Sequence, residues 1–178
     1  YFWTIRNMEQ VSGVTFHLVD KGLDTGAILA QEEVKIFPSD TGKLLKERTV
    51  LTARGVVCEL LKALREDIII PLQQREDRAS YFSQPCDIEL DYNKSAEEND
   101  ALIRAIQPWG QAYFYYKNDC FVVTSQNAEI YENTSKFSEV GTIIKLDYKK
   151  QTIDILCGNN KIIHISVKLY KKFDRPFT

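Results

Sequence analysis

Between Phe16 and Gln31 the chain reads FHLVDKGLDTGAILAQ. Asp20, Gly22, Asp24 and Gly26 fall in one short loop, and His17 stands just upstream. Carboxylates near an imidazole are the usual means of moving a proton on and off a reacting group. Glycines beside them free the backbone from its ordinary wells, so main-chain groups can approach a flat ligand closely. The same residues also suit an ordinary turn, in which Asp20 and Asp24 accept hydrogen bonds from local N–H groups. The loop alone leaves both readings open.

The flanking sequence predicts what carries this loop. Residues 14–19 are apolar and β-branched and read as a strand, and residues 27–36 read as a second. A helix follows, capped by Ser39 or Asp40 and ending near Glu66, ahead of Pro71. Leu44, Val50, Leu51, Val57, Leu60, Leu61 and Leu64 are read as its apolar stripe, with Gly55 weakening its middle.

Residues 72–90 show little periodicity and many charges, and read as a linker. Ser95 with Glu98 three residues on forms a capping box, which starts a helix that Pro108 stops, with Leu102 and Ile106 on one face. From residue 112 the period changes. Residues 112–116, 121–124, 142–146, 152–156 and 162–169 read as short strands; the first pair is joined by a turn at Asn118-Asp119. Such a series suggests a small barrel or sandwich.

Composition bounds the function. The chain has 178 residues, 44% of them hydrophobic, enough for one large domain or two small ones with a core. A net charge of −2 argues against a surface dominated by nucleic-acid contacts. Lysines still cluster locally at Lys149, Lys150, Lys168, Lys171 and Lys172. The four cysteines lie in or beside apolar runs with no C-x-x-C pair, and read as buried free thiols in a reducing, cytoplasmic compartment with no metal site. No apolar run reaches the length that spans a bilayer, so no membrane partner is expected. The chain opens on Tyr1-Phe2-Trp3. Three aromatics on a frayed end are unfavourable, so the natural chain is expected to continue upstream. His164 is expected to be structural or at the surface. Trp109 is expected to anchor a loop rather than to stack on a substrate.

The stretch SGVTFHLVDKGLDTGAILAQEEVKI resembles the G-V-T-x-H…D-x-G-x-D-T-G-x-I-L-x-Q segment of the folate-dependent formyltransferases. YFWTI resembles the segment after that family's N-x-H-P-S region. LDYNKSAEENDALIRAIQPWGQAY resembles the start of its C-terminal domain, although Gly110-Gln111 replaces the usual Pro-Gly. VGTIIKLDYKKQTIDILCGN resembles its P-G-T-I…I-x-V…G-D-G stretch.

The resemblance implies an α/β remnant of a Rossmann-like formyltransferase domain over 1–70, a linker over 71–90, and a mostly β, open OB-like barrel over 91–178. It implies 10-formyltetrahydrofolate as formyl donor and a primary amine as acceptor. The family's catalytic Asn and His would lie upstream of Tyr1, and its catalytic Asp carries over as Asp24. The loop of Val19, Asp20, Lys21, Gly22 and Leu23 matches the segment that cradles the pterin through backbone groups. His17 stands where some relatives place a His near the oxyanion and others an apolar residue, so a site role and a packing role both stay open.

Two branches of the family differ in acceptor. One formylates methionyl-tRNA, the initiator tRNA; the other formylates a sugar nucleotide. The order of elements and the late lysines favour tRNA. ASYFSQPCDIELDY lacks the Lys-bearing A-T-Y-A-x-K-L pattern of that branch, and the pI of 5.8 weighs the other way. A non-catalytic binding module is a further alternative, because the catalytic set within the chain is incomplete.

Overall fold

The computed structural model describes residues 1–75, 77, 79–83 and 85–170. A short helix α1 (Phe2–Arg6) leads into a hairpin of β1 (Val11–His17) and β2 (Ile28–Lys35). A long helix α2 (Gly42–Arg65) follows. After an irregular stretch come β3 (Ile88–Glu89) and α3 (Ala96–Ala105), then six strands: β4 (Ala112–Tyr116), β5 (Asp119–Val123), β6 (Glu129–Glu132), β7 (Ile143–Asp147), β8 (Thr152–Leu156) and β9 (Lys161–Tyr170).

Strands β3 to β9 form one sheet in the order β3-β4-β5-β9-β8-β7, with β6 paired to β9. Its pairs are antiparallel except β3 with β4. No ladder joins β3 to β7 among the described residues, so the sheet is not a closed barrel. The architecture is a small α/β hairpin-and-helix unit joined to a β-rich unit.

One hydrophobic cluster serves both. Phe2 and Ile5 of α1, Val34 of β2 and Leu45 of α2 join Ile103 and Ile106 of α3 and the inward side chains of the sheet, including Phe114, Ile153, Ile155, Ile163 and Ile165. Two of the opening aromatics, Phe2 and Trp3, are part of this packing. Phe2 is buried, Tyr1 stacks on Trp109 at 6.1 Å, and Trp3 meets Phe82 at 5.0 Å while its indole N–H donates to Ser83 O. Trp3 is half-buried, whereas Tyr1 stays exposed. Trp109 packs, partly buried, against the core cluster.

Several expectations need correction. Helix α2 is capped by the Thr41 hydroxyl, which accepts from Leu44 N–H, and not by Ser39 or Asp40. Asp40 is occupied elsewhere: it accepts from Phe37 N–H and takes both arms of the Arg48 guanidinium. The buried face of α2 runs through Leu45, Thr49 and Leu60, whereas Leu44, Val50, Leu51, Leu61 and Leu64 are exposed. Thr49 breaks the apolar pattern in sequence but satisfies its hydroxyl on Leu45 O, so it packs like a small apolar residue. Gly55 lies within an unbroken helix.

Cys120 and Cys157 are buried free thiols, but Cys58 and Cys86 are exposed. The residues joining β4 to β5 are Lys117 and Asn118, with Lys117 in the left-handed region, and Asp119 already belongs to β5. The capping box is present: Ser95 Oγ accepts from Glu98 N–H and the Glu98 carboxylate accepts from Ser95 N–H. Leu102 and Ile106 are both buried. His164 is half-buried and paired with Asp154 on the outer face of the sheet.

Candidate functional site

The loop between β1 and β2 is built by its own side chains. Asp20 Oδ1 accepts from Gly22 N–H at 3.0 Å and from the Thr25 hydroxyl at 2.7 Å. The Thr25 and Gly22 bonds hold the Asp20 carboxyl below the usual carboxylate range. Asp20 is therefore the organiser of the turn, and its side chain faces the loop rather than outward.

The glycines are required by close approach. A Cβ on Gly26 would lie 1.7 Å from Leu18 O, and one on Gly22 would lie 2.1 Å from the Thr25 hydroxyl. The base of the loop is closed by Leu18 N–H donating to Ala27 O at 2.9 Å. Around this frame Val19 and Leu23 are left 95% and 70% exposed, and Lys21 is exposed too.

Asp24 occupies the left-handed region, with φ of 57°. Asp tolerates that conformation better than most residues, because its short polar side chain can bond locally. The result is a carboxylate standing clear of the loop, its side chain 82% exposed.

His17 lies at the end of β1, where the register with β2 shifts. Phe16 faces Ala30 and His17 faces Ile28, which leaves Leu29 as the extra residue of a bulge. The bulge lies in β2 at the point where the hairpin passes into the loop, across from His17. His17 Nδ1 lies 2.8 Å from Leu18 O, and its Nε2 lies 3.6 Å from Asp24 Oδ1. A carbonyl only accepts, so Nδ1 carries a proton and donates. In the neutral ring Nε2 is then a bare lone pair facing a carboxylate. Protonation at Nε2 turns that facing pair into an ion pair. The two groups that the loop sequence singled out are thus brought together.

Asp24 opens on a cleft of about 680 Å³, shared with Leu23, Thr25, Gln74, Arg75 and Tyr81. Its far wall is the stretch read from sequence as a linker. That stretch is tied to the hairpin: Leu72 and Ile28 exchange two backbone hydrogen bonds, at 2.7 and 2.9 Å. Gln74 Nε2 donates to Asp24 O and to Gly26 O, both at 2.7 Å. Sequence reasoning missed Gln74. No local pattern could have marked it, because its partners lie 50 and 48 residues away. Among the described residues no group of three or more His, Cys, Asp or Glu is placed to hold a metal ion, and no helix is long and apolar enough to cross a membrane.

The formyl transferase family model matches residues 1–61, and the model of the formyl transferase C-terminal domain matches residues 83–172. A methionyl-tRNA formyltransferase from Lachnospira eligens is 30% identical over 96% of this chain and 55% of its own length. One from Clostridium novyi is 31% identical over 90% and 51%. The chain thus spans about half the length of these curated relatives.

Among solved structures, an N-formyltransferase from Helicobacter canadensis, in complex with folinic acid and dTDP-3-aminofucose, matches with a TM-score of 0.69 at 20% identity, over 94% of this chain and 59% of that one. Methionyl-tRNA formyltransferase from Clostridium thermocellum matches with a TM-score of 0.58 at 15% identity, over 96% and 61%. These two likenesses speak to the fold, whereas the family models carry the assignment. In its loop, its helices and its β-rich half, the chain belongs to the formyl transferase family.

Proposed function

We propose that the chain supplies one wall of a formyl-transfer site, taking a formyl group from 10-formyltetrahydrofolate to a primary amine, with methionyl-tRNA as the acceptor. The observation that carries the reading is the His17–Asp24 pair at the mouth of a cleft, on the loop that the family model covers. The donor supplies an activated formyl carbon, and this chain's residues hold it and manage the proton. Val19 and Leu23 offer exposed apolar side chains, and the backbone between them offers polar groups, a combination suited to the face and edge of a pterin. Asp24 accepts the proton that the attacking amine must lose, directly or through a water. His17, oriented by Leu18 O, presents Nε2 to the same carboxylate and steadies it when protonated. The amine gains the formyl group and tetrahydrofolate departs with a proton.

The working division is 1–70 as catalytic portion, 71–90 as linker and 91–178 as an OB-like C-terminal domain, in a cytoplasmic protein. The tRNA acceptor is favoured by the names of the curated relatives and by the lysines. Val167 N–H donates to Gln151 O, which brings the β7–β8 turn with Lys149 and Lys150 to the end of β9 where Lys168 lies. Lys171 and Lys172 lie outside the described residues. The sugar-nucleotide alternative is favoured by the fold neighbour from Helicobacter canadensis and by the pI of 5.8.

The test uses the protein as its gene encodes it. Each phosphate contact adds roughly 0.7–0.9 to the slope of log affinity against log salt. Replacing Lys149, Lys150 and Lys168 by Gln is expected to weaken methionyl-tRNA binding and flatten that slope, while leaving turnover of an amino-sugar nucleotide unchanged. Binding measured across a salt series checks this. An unaltered slope, or no formyl-methionyl-tRNA at all, moves the acceptor to the sugar nucleotide.

A further inference from the structure

We infer that Gln74 is the positioning residue that holds the Asp24 loop in its working shape, an inference that rests on the formyl-transfer reading above. The Asp24 backbone is in the left-handed region, which Asp tolerates at some cost, so the turn gains from contacts that hold it there. Its side chain gives little help, being mostly exposed and 3.6 Å from His17 Nε2. Inside the hairpin, Asp20 ties Gly22 and Thr25; the contacts on the Asp24 and Gly26 carbonyls reach the main chain from outside it. One Gln74 amide nitrogen bridges Asp24 O and Gly26 O, the carbonyls on either side of Thr25. A single amide group has two N–H donors, and here both are spent on one turn.

Gln74 is itself held. Two residues earlier, Leu72 exchanges both backbone bonds with Ile28, the first residue of β2. The strand after the loop and the amide that clasps the loop are therefore fixed to each other. Leu72 and Gln74 strap the hairpin, and the strap meets the loop at the residue that must be aimed. A carboxylate serving as base works only within hydrogen-bond reach of its proton, and about 1 Å of misplacement costs on the order of 10²-fold. Gln74 would act through Asp24, never touching the reacting atoms.

Gln74→Met keeps the length of the side chain and removes both donors; Gln74→Lys returns a donating nitrogen. Two measurements decide the matter. In the 178-residue chain, hydrogen exchange of the Leu18 and Gly22 amides should quicken about tenfold or more in the Met variant, with α2 and the sheet unchanged, and slow again in the Lys variant. In the gene-encoded protein, kcat should fall about 10- to 100-fold in the Met variant with the acceptor KM within about twofold, and recover in the Lys variant. Should Met disturb folding, Gln74→Glu, ionised and without donors at neutral pH, is expected to give the same two results. Unchanged loop exchange overturns the strap, and so does a loss carried by KM or a Lys variant as poor as Met. If the wild-type protein transfers no formyl group, the functional reading fails, while the exchange measurement still decides whether Gln74 holds the loop.

Discussion

Replacing Asp24 by Asn is expected to lower formyl-transfer turnover by about 10²- to 10⁴-fold, the usual cost of losing a positioned base. The substitution changes charge and little else. The side chain is 82% exposed, and the two bonds from Gln74 go to the backbone of Asp24 and Gly26, which Asn retains. Asn also accepts the left-handed region. Stability should therefore stay within about 0.5 kcal/mol of wild type. The folate KM should change little, because the exposed groups of Val19 and Leu23 remain. Steady-state kinetics on the gene-encoded protein, with a melting curve on the same sample, separates the two effects. Near-normal turnover in the Asn variant would remove Asp24 from the chemistry, and lost turnover together with lost folding would make it a structural residue.

The largest stability effect is expected at Asp40. Its carboxylate is buried, accepts from Phe37 N–H at 2.8 Å, and takes the Arg48 guanidinium at 2.6 and 2.7 Å. Its backbone carbonyl accepts from the buried Arg104, which is also paired with Asp100 at 2.7 Å. Asp100 in turn accepts from Ala128 N–H, so a chain of polar contacts runs from the start of α2 through α3 to the β-rich half.

Asp40→Ala strands Phe37 N–H and one face of Arg48, and should cost about 2–4 kcal/mol, a large share of a typical domain's stability. Arg48 keeps its bond to Lys35 O and its place 4.6 Å above the Phe37 ring, which keeps the loss below that of a fully buried pair. The pH dependence has a definite sign. The Arg48 fork, then the Phe37 N–H, holds the Asp40 carboxyl below its ordinary value in the folded state. The stabilisation is therefore complete above the ordinary carboxylate value near ~4 and is lost as the pH falls through the lower folded-state value. Urea unfolding of wild type and variant should show a gap at pH 7 that narrows only in acid. A gap that is absent, or the same at every pH, would contradict this account of Asp40.

Some of this was legible in the sequence because the determinants are local. The capping box needs only Ser95 and Glu98, and both of its bonds form as the spacing requires. The alternation of Ile153 and Ile155 against Ile163 and Ile165 marks β8 and β9, which pair in that register. The loop of Asp20, Gly22, Asp24 and Gly26 could be seen as a tight turn near His17, although which carboxylate folds inward could not.

What escaped is set by distant partners. Strand β3 has only two residues and exists because Ile88 and Leu90 donate to Gln111 O and Tyr113 O. Strand β6 is four residues, polar at both ends, and becomes a strand only against β9. Helix α1 has no side-chain cap, and its aromatics read as a loose end until Phe2 is seen in the core and Trp3 against Phe82. Gln74 is one polar residue in a polar stretch, and its partners appear only when the chain folds back on the hairpin.

The central claim is that this loop serves formyl transfer from a folate. It is tested most directly by incubating the gene-encoded protein with 10-formyltetrahydrofolate and each acceptor, methionyl-tRNA or a dTDP-amino sugar, and following the formamide by mass spectrometry. The account predicts a formamide on one of them, with one tetrahydrofolate released for each formyl group transferred. No formamide on either acceptor, from a folded protein that also fails to bind folinic acid, would contradict it.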